Sequence, residues 1–213
     1  MKCDKKSMLL YAVTDRTWLK EQNLATQVEE ALNGGVTFVQ LREKKLDYET
    51  FLEEAKRMKV LCEKYHVPFV INDNVEIAIA SDADGVHIGQ SDRKVSEVRA
   101  ELGETKIIGV SAQTVEQAIR AQQEGADYLG VGAVFSTSTK LDADSVSFET
   151  LKSICEAVSI PVIAIGGISE NNILELSGTG IDGVAVVSAL FAKSDIKMAA
   201  KNLCDLSHNM VML

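Results

Sequence analysis

Short β-branched runs alternate with amphipathic stretches along the whole chain, eight times over. The runs are Met8–Val13, Val36–Leu41, Pro68–Ile71, Asp84–Ile88, Lys106–Val110, Asp127–Val131, Pro161–Ile165 and Asp182–Val187. Each is nearly continuous in apolar residues, as a parallel strand covered on both faces must be. The segments between them read as helices with one apolar stripe, for example Leu24, Val28, Ala31 and Leu32, or Leu52, Ala55, Met58 and Cys62. Leu151, Ile154, Cys155 and Val158 form another, and Ile196, Ala199, Ala200 and Leu203 a fourth. Asp47, Thr114, Ser147 and Ser169 stand where N-caps are expected. Gly34-Gly35, Gly103 and Gly125 follow helices and lead into strands.

Strict alternation without a linker predicts the α/β class and a single (β/α)8 TIM-barrel domain over residues 1–213. An open doubly wound sheet is the alternative, because a count of eight does not close a barrel. A faint echo supports repeated units. Ala83-Asp84-Gly85, Ala126-Asp127-Tyr128 and Ile181-Asp182-Gly183 open the fourth, sixth and eighth strands.

Composition narrows the function classes. The 213 residues carry a net charge of −9, which argues against nucleic acid and anionic membranes as partners. Any anion site must then be a local cluster of donors. Cys3, Cys62, Cys155 and Cys204 form no CxxC pair, and three of them fall on helix stripes. Buried free thiols in a reducing, cytoplasmic setting fit better than zinc or disulfides. The apolar run near the N-terminus, Met8–Val13, is too short for a signal-peptide core or a membrane span.

In a barrel the chemistry lies after the C-terminal ends of the strands. Polar and glycine-rich clusters collect there. The second strand ends Gln40-Leu41-Arg42-Glu43-Lys44. Gln40, Arg42 and Lys44 share one face if the extended geometry persists, and at ~3.3 Å per residue they span about 13 Å. An amide, a guanidinium and an ammonium in a row suit a heteroaromatic ring bearing a diphosphate. A solvated strand end is the bland alternative.

Asn72-Asp73-Asn74 follows the third strand, and Gly89-Gln90-Ser91-Asp92 the fourth. Asp73 and Asp92 therefore leave neighbouring strands on one side. Magnesium commonly takes one or two carboxylates, water and phosphate oxygens, so this pair is a candidate Mg2+ site. Helix stretches follow both residues, and taken alone the pattern favours helix N-caps. Ser111, ending the fifth strand, either donates to a phosphate or begins the turn before Thr114.

Ser136-Thr137-Ser138-Thr139-Lys140 follows the sixth strand, where hydroxyls and an ammonium can cradle a phosphate. Gly166-Gly167 follows the seventh strand, and Val187-Ser188 ends the eighth. Barrels often hold a phosphate there. His87 reads as a hydrogen-bonded structural residue, and no Ser-His-Asp or Cys-His arrangement is evident.

Taken together and in order, these motifs resemble the thiamine-phosphate synthase family over most of the chain, from Tyr11 to Ser188. The resemblance implies joining of 4-amino-2-methyl-5-hydroxymethylpyrimidine diphosphate to 4-methyl-5-(2-phosphoethyl)thiazole, with release of diphosphate. It implies that Gln40, Leu41, Arg42, Glu43, Lys44, Asn72, Ser111 and Lys140 contact the pyrimidine diphosphate. Arg42, Lys44, Lys140 and Ser111 would be the catalytic residues among them. Asp73 and Asp92 would hold magnesium, and Thr137, Ser138, Thr139, Gly167, Val187 and Ser188 the thiazole phosphate. The family resemblance also implies a possible homodimer. This chain has Ala112-Gln113 where many relatives carry a histidine.

The diphosphate leaves with the charge that must be stabilised, and the carbon it leaves is benzylic to an electron-rich aminopyrimidine. A dissociative route through a pyrimidine cation follows, with no covalent side-chain nucleophile. Three alternatives stay open at this point: an aminopyrimidine or thiazole tautomerase-like paralogue, a non-catalytic phosphate-binding barrel, and another phosphate-handling barrel such as those of tryptophan biosynthesis.

Overall fold

A computed structural model describes residues 3–19, 23–90, 92–136 and 145–213. Eight parallel strands form the centre: β1 (Leu10–Val13), β2 (Phe38–Leu41), β3 (Phe69–Asn72), β4 (Gly85–Ile88), β5 (Ile107–Ala112), β6 (Tyr128–Val131), β7 (Val162–Ile165) and β8 (Gly183–Val186). Each pairs with its successor in sequence, and β8 pairs back onto β1 with Tyr11 opposite Ala185. That last pairing closes the barrel and excludes the open sheet.

Around the barrel stand α1 (Leu24–Asn33), α2 (Tyr48–Lys64), α3 (Val75–Ala80), α4 (Val95–Leu102), α5 (Val115–Gln123) and α6 (Phe148–Ala157). After β8 come the short α7 (Ser188–Phe191) and the long α8 (Ile196–Met212). Asp47, Thr114 and Ser147 cap α2, α5 and α6 as expected, each accepting a backbone N–H three residues on. The expectation for Ser169 fails. Only a 3-10 turn, Ile173–Leu176, lies between β7 and β8, and the Ser169 N–H instead donates to the Asn172 amide oxygen at 2.8 Å. The α2 stripe is also rotated by one residue, since Phe51 rather than Leu52 is buried beside Ala55, Met58 and Cys62.

Alternation along the strands separates two cores. One set of side chains packs outward against the helices, including Leu41, Ile71, Val86, Val110 and Leu129. The other fills the barrel: Tyr11, Val13, Phe38, Val70, Ile107, Tyr128, Ile163 and Ala185. Met8, fully buried at the end of the 3-10 turn Lys6–Met8, belongs to this interior set.

The repeated Asp at the start of even strands has a physical reason. The Asp84 carboxylate accepts the Phe69 N–H at 2.9 Å, Asp127 accepts Ile108 N–H at 2.8 Å, and Asp182 accepts Val162 N–H at 2.9 Å. Each therefore ties an even strand to the odd strand before it. Thr37 does the same through its hydroxyl, accepting Leu10 N–H at 2.9 Å. Cations complete the three carboxylates: Lys59 on Asp84, Arg99 on Asp127 and Lys5 on Asp182. The echo is thus a strand-start brace repeated four times round the barrel.

Candidate active site

The C-terminal ends of the strands open into a cavity of about 490 Å³. Gln40, Arg42, Lys44, Asn72, Asp73, Asp92 and Ser111 line one side of it. Gly167, Val187 and Ser188 line the other. The two groups of residues expected to meet separate ligands thus share one continuous mouth. Thr137, Ser138, Thr139 and Lys140 lie outside the described residues.

The row on β2 is built as the alternation predicts, even though the strand ends at Leu41. Arg42 is anchored by β1. Its N–H donates to the Thr14 hydroxyl at 3.0 Å, while the Thr14 N–H donates to the Gln40 carbonyl at 3.0 Å. The Arg42 guanidinium stands 3.7 Å from the Asp15 carboxylate, and Lys44 is bound to Asp73.

The same alternation turns two side chains of this run away from the mouth. Leu41 is fully buried in the outer core, and Glu43 turns away from the mouth to accept from Arg16 at 2.7 Å. Burial pushes the Glu43 carboxyl above its usual range, with Arg16 opposing the shift. Neither side chain lines the cavity, because odd positions of this row face the helices.

The N-cap alternative for the two carboxylates also fails. Asn74, not Asp73, caps α3, accepting Ile77 N–H at 2.9 Å. Lys94 precedes α4 without any side-chain cap. Asp73 has φ +63°, a left-handed conformation that aspartate tolerates better than most residues, and its N–H donates to the His87 carbonyl at 2.8 Å. This turn points the chain back toward the mouth. The Asp92 carboxylate accepts the Gly89 N–H at 2.6 Å, which folds the loop after β4 over the cavity rim. Among the described residues no cluster of three or more His, Cys, Asp or Glu side chains could hold a metal. Two hard carboxylates beside Arg42 and Lys44 nevertheless have the donor chemistry that magnesium takes, its other ligands coming from water and phosphate.

On the far side, Gly167 has φ +68°, and a Cβ there would lie 2.4 Å from the Ser136 carbonyl oxygen. Only glycine allows the chain to pass this close. Ser188 begins α7 after the neighbouring strand, on the same side of the mouth. Ala112 is buried on the outer face of β5. Gln113, which lines the cavity, donates its N–H to the Gln117 side chain at 2.7 Å.

Tyr11 and His87 line the cavity floor and Tyr128 lies fully buried beneath it. The two tyrosines escaped the reading of motifs, whereas His87 is the hydrogen-bonded residue expected. Gln40 Nε2 donates to the Tyr11 hydroxyl at 2.8 Å, and the Tyr11 and Tyr128 hydroxyls are 2.7 Å apart. His87 Nδ1 lies 2.9 Å from the Tyr128 hydroxyl and its Nε2 3.0 Å from the Ser111 hydroxyl. The available signal was the phenols' place on the inward-facing alternation, since a buried hydroxyl must find a partner. Gly109 makes the room. A Cβ there would lie 2.1 Å from the Tyr128 ring.

Comparison with known proteins agrees with this architecture. The profile of the family described as thiamine monophosphate synthase matches residues 10–190. The thiamine-phosphate synthase of Clostridium tetani is 54% identical over 194 residues, covering 91% of this chain and 93% of that one. The thiamine-phosphate synthase of Ruminiclostridium cellulolyticum is 52% identical over 200 residues, covering 94% and 95%. Among solved structures, thiamine phosphate pyrophosphorylase from Pyrococcus furiosus superposes with a TM-score of 0.89 at 38% identity, covering 97% of this chain and 98% of that one.

Proposed function

The chain belongs to the thiamine monophosphate synthase family, and on that premise we infer that its barrel mouth joins an aminopyrimidine diphosphate to a thiazole phosphate. The products are thiamine phosphate and diphosphate. The observation that carries this reading is the single cavity lined on one side by Arg42, Lys44, Asn72, Asp73 and Asp92 and on the other by Gly167 and Ser188. A joining reaction needs two ligands within reach of each other, and one continuous mouth supplies that proximity.

The roles follow from chemistry. Arg42 offers a bidentate fork to the diphosphate and Lys44 a point charge, so both stabilise the leaving group as its bond to the benzylic carbon breaks. Lys140 adds to that charge in this reading. Magnesium held by Asp73 and Asp92 would neutralise diphosphate oxygens. Gln40 and Asn72 orient the pyrimidine ring, and Ser111 donates toward the diphosphate. The main chain at Leu41 and Glu43 is all those residues can offer, because their side chains face away. Thr137, Ser138, Thr139, Gly167, Val187 and Ser188 fix the thiazole phosphate, so its ring nitrogen attacks the pyrimidine cation once the bond to diphosphate has broken.

The tautomerase-like reading would expect parts of the diphosphate and metal set to be missing, whereas Arg42, Lys44, Asn72, Asp73 and Asp92 are all present and converge. Nothing favours a non-catalytic phosphate-binding barrel. Among the described residues no helix is long and apolar enough to cross a membrane, and the four cysteines are free thiols. The latter supports a reducing cytoplasmic setting, and a homodimer is part of the same reading.

The decisive assay incubates the protein with both substrates and magnesium and measures thiamine phosphate and diphosphate in equal amounts. Binding of both substrates without product would overturn the synthase reading in favour of a sensor.

A further inference from the structure

Five side chains from five strands form an unbroken line across the floor of the mouth: Gln40, Tyr11, Tyr128, His87 and Ser111. The steps are 2.8, 2.7, 2.9 and 3.0 Å. We propose that this line is a one-way relay in which Tyr11, Tyr128 and His87 act as positioning residues, fixing Gln40 as an acceptor and Ser111 as a donor toward the pyrimidine substrate.

The direction follows from counting protons. Gln40 Nε2 donates to Tyr11, so the Tyr11 oxygen is an acceptor and its single proton goes to Tyr128. Tyr128 then accepts from Tyr11 and sends its own proton to His87 Nδ1. An Nδ1 that accepts leaves the ring proton on Nε2, which donates to the Ser111 oxygen. Ser111 accepts from below, and its own proton is left to point into the cavity. At the other end, an amide whose nitrogen faces down presents its oxygen to the cavity. The reverse state of His87, with a proton on Nδ1, would strand the Tyr128 proton among buried rings, which is expensive.

The surroundings hold the line in place. Tyr11 and Tyr128 are buried, and burial raises both phenols well above their usual range, so each keeps its single proton. The Tyr11 and Phe38 rings lie 4.5 Å apart and the His87 and Tyr128 rings 5.5 Å apart, which limits rotation. A Cβ at Gly130 would lie 3.1 Å from His87 Cε1, so the imidazole has little room to swing.

The relay has a consequence for specificity, and this part rests on the synthase reading. The mouth offers an acceptor on β2 and a donor on β5. A 4-aminopyrimidine presents an amine donor that Gln40 can receive. Its 4-oxo counterpart presents an acceptor there, leaving two oxygens facing each other. A relay that cannot reverse locally makes that mismatch persistent.

The test uses the three histidines, His66, His87 and His208, which make imidazole signals few. Protein labelled with 15N at histidine is examined by long-range 1H–15N correlation, and His87 is assigned by loss of its signals in His87→Gln. The expected result is a protonated Nε2 and an accepting Nδ1 in the unsubstituted protein. Tyr11→Phe, which has Tyr128 between it and His87, should shift His87 toward mixed tautomers. A proton on Nδ1 of the unsubstituted protein overturns the direction. A Tyr11→Phe protein that unfolds normally but leaves His87 unchanged overturns the relay.

Kinetics supply the second arm. Tyr11→Phe should raise KM for the aminopyrimidine diphosphate roughly tenfold and narrow discrimination against the 4-oxo analogue by a similar factor. KM for the thiazole phosphate should hold. Equal loss on both substrates would mark Tyr11 as mere packing and sink the proposal. Absence of any product from the unsubstituted protein, with the Nε2 tautomer present, would overturn the synthase reading and leave the relay standing.

Discussion

Lys44 on the loop after β2 and Asp73 after β3 are bound to each other as an ion pair at the mouth of the barrel. Both residues belong to the diphosphate and metal set proposed above, in which each would hold the other until those ligands replace it. Their side chains are 52% and 33% exposed, which makes the pair itself a minor contributor to stability.

Asp73→Asn tests that separation of roles. Stability should change by less than about 1 kcal/mol, because the pair is solvent-screened. Turnover should fall on the order of 100-fold, as for loss of one charge-stabilising group, and its dependence on magnesium should weaken. Thermal unfolding and a magnesium titration of initial rates check both halves. An unfolded variant, or one with a normal magnesium response, would contradict the assignment.

Arg42→Ala tests the division of the mouth. The proposed division puts Arg42 with the diphosphate half, so its loss should raise the KM for the pyrimidine diphosphate by an amount equivalent to ~1.5–3 kcal/mol of binding. The thiazole phosphate KM should move little. Steady-state kinetics with each substrate varied in turn reads this directly, and equal damage to both would mean the halves are drawn wrongly.

Asp127→Ala tests the strand-start brace at the closed end of the barrel. Its carboxylate holds the Ile108 N–H at 2.8 Å and pairs with Arg99 at 2.5 Å, and Arg99 also donates to the carbonyls of Gly103, Lys106 and Gly125. Removing the carboxylate leaves a buried N–H and an unbalanced guanidinium. We expect a loss of about 2–4 kcal/mol in urea unfolding, with both KM values retained. A stability change within error would show that the repeated aspartates are incidental.

The cysteines give a pH dependence. Burial pushes the thiols of Cys3, Cys62 and Cys155 up to about 12, from an ordinary value of 9.0. A raised folded-state value means that the neutral thiol is favoured on folding. The associated stability is present below about pH 9 and is lost as the pH rises toward 12. Alkaline titration of the unfolding midpoint should therefore show a decline in that window. Cys62 should resist iodoacetamide at pH 8 in the folded protein and react once urea is added, while rapid alkylation when folded would contradict its burial.

Much of this was legible before any coordinates. Eight apolar runs with polar ends located every strand to within two residues at each end, because a parallel strand buried on both faces has no other way to appear in sequence. Gln40, Arg42 and Lys44 were placed together by period-two alternation, and Asp73, Asp92, Ser111, Gly167 and Ser188 by their positions just after strands. The same alternation already turned the Leu41 and Glu43 side chains away from the mouth, since both occupy the opposite parity of that row.

The rest depends on contacts between distant parts of the chain. Barrel closure is a pairing of β1 with β8, and no local pattern encodes it. Whether Asp73 caps a helix or faces the mouth turned on one left-handed residue and on Asn74 taking the cap. The line from Gln40 to Ser111 joins residues 29, 117, 41 and 24 positions apart. Local periodicity determines which face a side chain takes, because backbone geometry repeats every two residues in a strand. Which buried hydroxyl meets which imidazole is settled only when the closed barrel brings those faces together and leaves each polar atom no solvent to fall back on.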